Sequence, residues 1–220
     1  PRVEAALAAM LDACLKLDAR LVEINPLAVT PSGRVVALDA KVTIDENALF
    51  RHPDLLSLRE VEAAETGDPV SLGADRHNIN YLLMDGDIGV AVNGAGLALA
   101  TLDCLGACGG KPANFMDIRT TASSLDIAYG FRLIATNPAT RAILVNVHGG
   151  GMQRCDTIAE GMAVALRDTP RRLPIVVRLA GNNAEFARTR LAASGVAFVE
   201  AVDMQDAAER AVRLAAGEVR

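Results

Sequence analysis

From residue 81 onward, short apolar runs alternate with helical stretches of roughly 10–15 residues, and this rhythm limits the fold more than any other feature of the chain. Runs at 81–84, 88–92, 113–116, 142–147, 175–179 and 197–199 read as strands. Stretches 94–108, 123–135, 154–166, 183–194 and 205–215 read as helices. Strands joined by helices close as right-handed βαβ units, so an α/β fold with a parallel sheet is expected, a flavodoxin-like three-layer domain over residues 76–220. The runs at 81–84 and 88–92 are expected to lie around the turn Asp85-Gly86-Asp87. Composition agrees: 51% of residues are hydrophobic, but only 3% are aromatic and Trp is absent. The core is therefore Ala, Val, Leu and Ile, the usual filling between helices and a parallel sheet.

The same arithmetic excludes several classes. A net charge of −5 leaves no basic footprint for nucleic acid, and the apolar content excludes a disordered chain. The uncharged stretch 88–102 is shorter than the ~20 residues a membrane span needs, and Asn93-Gly94 interrupts it. No segment resembles a signal peptide. Cys14, Cys104, Cys108 and Cys155 show no metal-type spacing, and the pair at 104 and 108 is one helical packing interval apart. A reduced cytoplasmic protein is the expectation.

The first 75 residues follow another pattern. Leu7, Met10, Leu11, Cys14 and Leu15 form one apolar helical stripe. Residues 20–29 read as a strand broken at Asn25-Pro26; Pro31-Ser32-Gly33 supplies a turn, and 34–41 returns as the second strand of a hairpin. Residues 45–65 read as a turn and an exposed charged helix, and 66–80 dissolve into Gly, Pro, Asp and Asn, the expected linker. The division expected is 1–75 and 76–220. Because the first residue is Pro1 and helical periodicity is already under way, the chain reads as a piece of something longer.

In open α/β sheets, ligands bind beyond the carboxyl ends of strands, at helix N-termini. Three strand ends carry Gly and Asn: Asn93-Gly94-Ala95-Gly96, His148-Gly149-Gly150-Gly151-Met152, and Ala180-Gly181-Asn182-Asn183. Such loops also serve as plain tight turns, but three on one edge favour an anion or carboxylate site. None matches GxGxxG or GxxxxGK[ST]. On the hairpin, Asn25 and Asp39 stand on paired strands, and their oxygens suit Mg²⁺ completed by waters and phosphate; Asn-Pro is equally a common turn pair. His52 and His77 lie in charged, loop-like stretches and are expected to be solvated, while His148 shapes its loop. Cys155 opens a helix, which could lower its pKa, although a buried structural thiol is the commoner outcome. No nucleophile–base pair is apparent.

Specific motifs add to this. Leu21-Val22-Glu23-Ile24-Asn25-Pro26-Leu27, Leu38-Asp39-Ala40-Lys41 and Asn47-Ala48-Leu49-Phe50-Arg51 resemble the end of the ATP-grasp region in the β subunit of succinate–CoA ligase. Val92-Asn93-Gly94-Ala95-Gly96-Leu97-Ala98, Gly109-Gly110-Lys111-Pro112-Ala113-Asn114-Phe115, Arg154-Cys155-Asp156 and Val177-Arg178-Leu179-Ala180-Gly181-Asn182-Asn183 resemble its carboxy-terminal ligase domain. Malate–CoA ligase and the citrate-handling relatives share these signatures.

The resemblance implies a three-step reaction. ATP (or GTP) phosphorylates a histidine, the phosphoryl group passes to a carboxylic acid, and CoA displaces phosphate. The phosphohistidine and the CoA-binding domain belong to a partner α subunit, giving a hetero-oligomer acting on a small dicarboxylic acid. It further implies Asn25 and Asp39 as Mg²⁺ ligands and Glu23 as the catalytic group facing the histidine loop. Asn93, Gly150, Gly151, Met152 and Gln153 would contact the acid and the phosphoryl group. The front of the ATP-grasp fold is missing, so this stretch alone is not expected to bind ATP productively. After Asp117 the family usually has Gly-Gly-Gly-Ala, whereas this chain has Ile118-Arg119-Thr120-Thr121-Ala122. The usual Phe-Gly-Gly-Ile-Val-Arg turn is replaced by His148-Gly149-Gly150-Gly151-Met152-Gln153-Arg154, one residue longer. Arg119 therefore becomes a candidate for gripping a carboxylate of an acid larger or more oxidised than succinate. A non-catalytic module that docks the α subunit, or a malate- or citrate-specific ligase, is the competing reading.

Overall fold

The computed structural model describes residues 2–66, 69–150, 152–167 and 169–218, with the side chains of 2, 59, 60 and 62–66 left aside. The chain divides into two compact units, 1–67 and 68–220.

The first unit opens with α1 (Arg2–Lys16), followed by β1 (Ala19–Ile24), β2 (Leu27–Val29), β3 (Val35–Ala37) and β4 (Ala40–Ile44). A 3₁₀ turn at Glu46–Arg51 and α2 (Pro53–Thr66) complete it. The expected hairpin is present, interrupted on both strands at one level. β1 pairs with β4 and β2 with β3, both antiparallel, with Asn25-Pro26 facing Leu38-Asp39 at the break. Proline has no N–H for a ladder, which explains why pairing stops there. Much of the apolar stripe on α1 stays open: Leu7, Leu11 and Leu15 are exposed.

The second unit begins with α3 (Pro69–Arg76), where composition reads as linker. Proline is tolerated in the first turn of a helix, and Ala74 is fully buried with Val70 packed against the same cluster. Those contacts accompany a helix that local propensity alone would not call for, and the compact units meet at 67/68. Then follow β5 (Ile79–Leu83), β6 (Ile88–Val92), α4 (Ala95–Ala107), β7 (Asn114–Ile118), α5 (Ser124–Thr136) and β8 (Ala142–Gly149). The chain continues as α6 (Cys155–Arg167), β9 (Ile175–Gly181), α7 (Ala184–Ala193), β10 (Val199–Glu200) and α8 (Met204–Ala215).

The sheet order is β10-β9-β8-β6-β7-β5. Counting the parallel strands from β6, this is 2-1-3-4-5, the flavodoxin-like order. One apolar layer packs α3, α5, α6 and α7 on one face and the other packs α4 and α8 on the opposite face, so the three layers are as expected. The edge is not. β5 runs antiparallel to β7 and does not neighbour β6, the next strand in sequence. The turn at 84–87 wraps the entry of β7 instead: Met84 N–H donates to Ala113 C=O, and the N–H groups of Asp87 and Ile88 both donate to Lys111 C=O. Those bonds seat the start of β7 between the two strands.

Candidate functional site

The order reverses between β6 and β8, which makes the gap beyond their carboxyl ends the switch point of the sheet. Asn93 and His148 meet there. The Asn93 amide donates from Nδ2 to His148 C=O at 2.8 Å, and its Oδ1 accepts His148 N–H at 2.9 Å. One side chain thus replaces the missing rung of the ladder and locks the two loops together, leaving the His148 side chain exposed.

β8 and β9 are joined just as closely. Gly181 has φ +83°, and a Cβ there would lie 2.2 Å from the Gly149 carbonyl oxygen, so only glycine fits. Asn182 N–H donates to Gly149 C=O (2.9 Å), Asn182 Nδ2 to Gly150 C=O (3.2 Å), and Cys155 N–H to Asn182 C=O (3.1 Å). The turn ahead of α6 is thereby hung from the end of β9. Within it, Gly150 N–H bonds to Gln153 C=O at 2.9 Å, and Met152 is 76% exposed. Gly151 lies outside the described residues. Gln153 is only 5% exposed, and its Nε2 has no hydrogen-bond partner. A buried amide nitrogen without an acceptor is unusual enough to require an account. Arg154 Nε pairs with Asp156 Oδ1 at 3.3 Å in the first turn of α6.

Cys155 is a structural thiol. It is fully buried, its Sγ donates to Ala180 C=O at 3.2 Å, and burial pushes its pKa up rather than down. The two histidines expected to be solvated are both engaged. His52 Nε2 meets Asp18 Oδ2 at 2.8 Å; His77 Nδ1 meets Asp126 Oδ1 at 2.9 Å and its ring stacks on Tyr129 at 4.1 Å. Their carboxylate partners lie 34 and 49 residues away in sequence, which local reading does not reach.

Arg119 also has partners within the chain. Its Nη2 lies 2.5 Å from Asp75 Oδ1 on α3, and Nε and Nη2 both donate to Asn80 Oδ1, at 2.9 and 2.6 Å. Thr121 Oγ1 donates to Asn78 Oδ1 at 3.0 Å. The residue that sequence reading passed over is Asp117, 7% exposed at the end of β7, whose Oδ1 accepts Gly94 N–H at 2.7 Å.

In the first unit, the break in the hairpin brings Asn25 and Asp39 side by side, joined by Asn25 N–H to Asp39 C=O at 3.3 Å, with both residues exposed. Asp39 Oδ1 accepts Ala40 N–H (2.9 Å). A carboxylate and an amide oxygen fit a hard cation that keeps waters and takes phosphate oxygens, as Mg²⁺ does. Glu23 lies on β1, two residues before Asn25, opposite Lys41. Among the described residues no group of three His, Cys, Asp or Glu could hold a metal ion, and no helix is long and apolar enough to cross a membrane.

A 2-1-3-4-5 sheet with polar loops gathered at its switch point defines a domain of the flavodoxin-like class. The chain belongs to the CoA-ligase family, whose model matches residues 91–212. It is 44% identical to the succinate–CoA ligase [ADP-forming] subunit beta of Solibacter usitatus over 96% of this chain and 54% of that protein. To the protein of that name in Haemophilus influenzae it is 47% identical, over 93% and 51%. The chain spans about half the length of these curated relatives. Its fold is shared with ATP citrate lyase from Methanothrix soehngenii, solved with citrate and coenzyme A, at TM-score 0.74 and 18% identity over 98% of this chain and 59% of that one.

Proposed function

We propose that this chain works as β-subunit sequence of an ADP-forming acid–CoA ligase, with an α subunit that supplies the CoA-binding domain and a phosphohistidine. The Asn93–His148 lock carries the reading: it fixes two polar loops at the sheet's switch point, beside the turn that leads into α6. The names of the relatives support the same activity. ATP phosphorylates the partner histidine with release of ADP, a dicarboxylic acid takes the phosphoryl group, and the CoA thiol displaces phosphate. Asn93 and the turn at 150–153 orient the acid and the phosphoryl group. The N-terminus of α6 faces the phosphohistidine, where its dipole contributes up to ~2 kcal/mol. Glu23 faces the histidine loop on the nucleotide side. Asn25 and Asp39 would hold Mg²⁺, which when bound neutralises phosphate charge.

The acid is a second question. The relatives' printed name favours succinate, and an acid of the malate or citrate kind is the alternative. The test is a coupled CoA-ligase assay of the full-length protein with its α partner across di- and tricarboxylates. CoA-dependent ADP release with at least one acid is expected. Its absence across the panel would favour a docking module without chemistry.

A further inference from the structure

Asp117 has both carboxylate oxygens engaged. Oδ1 accepts Gly94 N–H at 2.7 Å, and Oδ2 accepts Asn80 Nδ2 at 3.0 Å. Asn80 stands directly across from Asp117 in the β5–β7 ladder, so the two side chains share one face of the sheet. The other end of the Asn80 amide accepts two N–H groups of Arg119, whose Nη2 also reaches Asp75. The two ends of an amide are alike in shape and opposite in chemistry. Arg119 can only donate, so it holds the Asn80 oxygen toward itself, which turns the NH₂ group toward Asp117. A continuous relay then runs from α3 through the edge strand to the start of α4.

We infer that Asp117 is a positioning residue for the Asn93–Gly94 turn, and that Arg119 acts through Asn80 to orient it. Its bearing on substrate rests on the reading of that turn as part of the acid site. Gly94 is the N-cap of α4, with φ +94° and no side chain to cap the helix. The Asp117 carboxylate takes the backbone N–H of the cap residue itself, as the acid of a capping box does, and places negative charge at the helix N-terminus, where it is favoured. With Gly94 N–H occupied, the next amides of the first turn, those of Ala95, Gly96 and Leu97, are the ones left for a carboxylate ligand. The Arg-Thr-Thr segment that stands where the family usually has three glycines serves this scaffold: Arg119 through Asn80, and Thr121 through Asn78.

The test exchanges donors and acceptors in the full-length protein bound to its partner subunit. Asp117→Asn leaves one NH₂ group against a donor, either Asn80 NH₂ or Gly94 N–H, Asn80→Asp sets two carboxylates face to face, and the double variant restores one donor against one acceptor with Arg119 still satisfied. Each single variant should speed hydrogen–deuterium exchange at Gly94 at least tenfold. Each should also raise KM for the acid at least tenfold, with KM for ATP within twofold, and the double variant should recover to within threefold of native in both. Arg119→Ala, on the partly exposed end of the relay, should move both readouts three- to tenfold in the same direction, and it keeps the test open if Asp117→Asn does not fold. Native-like exchange in the single variants and in Arg119→Ala, or a double variant no better than the singles, would overturn the inference. If exchange rises and is rescued while KM for the acid does not move, the positioning role stands and the placement of the acid at this turn falls instead.

Discussion

At the scale of single residues, the site depends on side chains that each satisfy two groups at once. Asn93 is the clearest. Asn93→Ala leaves the His148 N–H and C=O to water and should cost about 1–2 kcal/mol. Asn93→Asp should cost more despite its closer shape, because a carboxylate oxygen then faces the His148 carbonyl; urea midpoints of the two variants decide the order. Asp126 makes a second case. Burial raises its pKa, but hydrogen bonds from the Ser123 backbone and from His77 outweigh that, and the net shift is downward. A carboxyl depressed in the folded state stabilises above its unfolded pKa and loses that contribution as pH falls through the folded value. Stability should therefore decline below about pH 4, and Asp126→Asn should flatten the decline when midpoints at pH 7 and pH 3 are compared. In the first unit, Asp39→Ala removes the carboxylate beside Asn25 and should abolish ³²P transfer to the partner histidine in the full-length enzyme; undiminished transfer would remove the metal assignment.

Among the elements, the ends of β8 and β9 show how little freedom the site has. Gly181→Ala combines a positive φ with a Cβ 2.2 Å from the Gly149 carbonyl oxygen, a backbone atom that cannot step aside. It should cost about 2–4 kcal/mol and loosen the turn into α6, visible as a lower Tm and faster exchange around 150–155. Periodicity and loop chemistry made these strands, their helices and the three strand-end loops legible in the sequence. Asn25 and Asp39 were legible as a pair because the residues of a hairpin face one another by register. Three features were not. α3 is held by the burial of Ala74 and Val70, a tertiary effect that overrides a linker-like composition. His52, His77 and Arg119 are set by partners 34, 49 and 44 residues away, beyond the reach of any local pattern. Asp117 reads as one more polar residue until the fold brings Gly94 to it.

For the whole molecule, the division at 67/68 leads to an expectation about what folds alone. A chain starting at Pro69 should melt cooperatively. One starting at His77 lacks Ala74, Val70 and the carboxylate that pairs with Arg119, and should be less stable by at least about 2 kcal/mol in denaturant titration. The order of the sheet also has a meaning in time. β5 ends at Leu83 and β6 begins at Ile88, so the first strand to become available to β5 is one that the finished sheet keeps away from it. Its true partner starts at Asn114, 114 − 92 = 22 residues after β6 ends at Val92. At a synthesis rate of roughly 5–20 residues per second that is a delay of about 1–4 s, whereas a hairpin closes in about 1–10 μs. For that interval during translation β6 is the strand available to β5, so any early pairing between them has to be weak enough to be undone when β7 emerges.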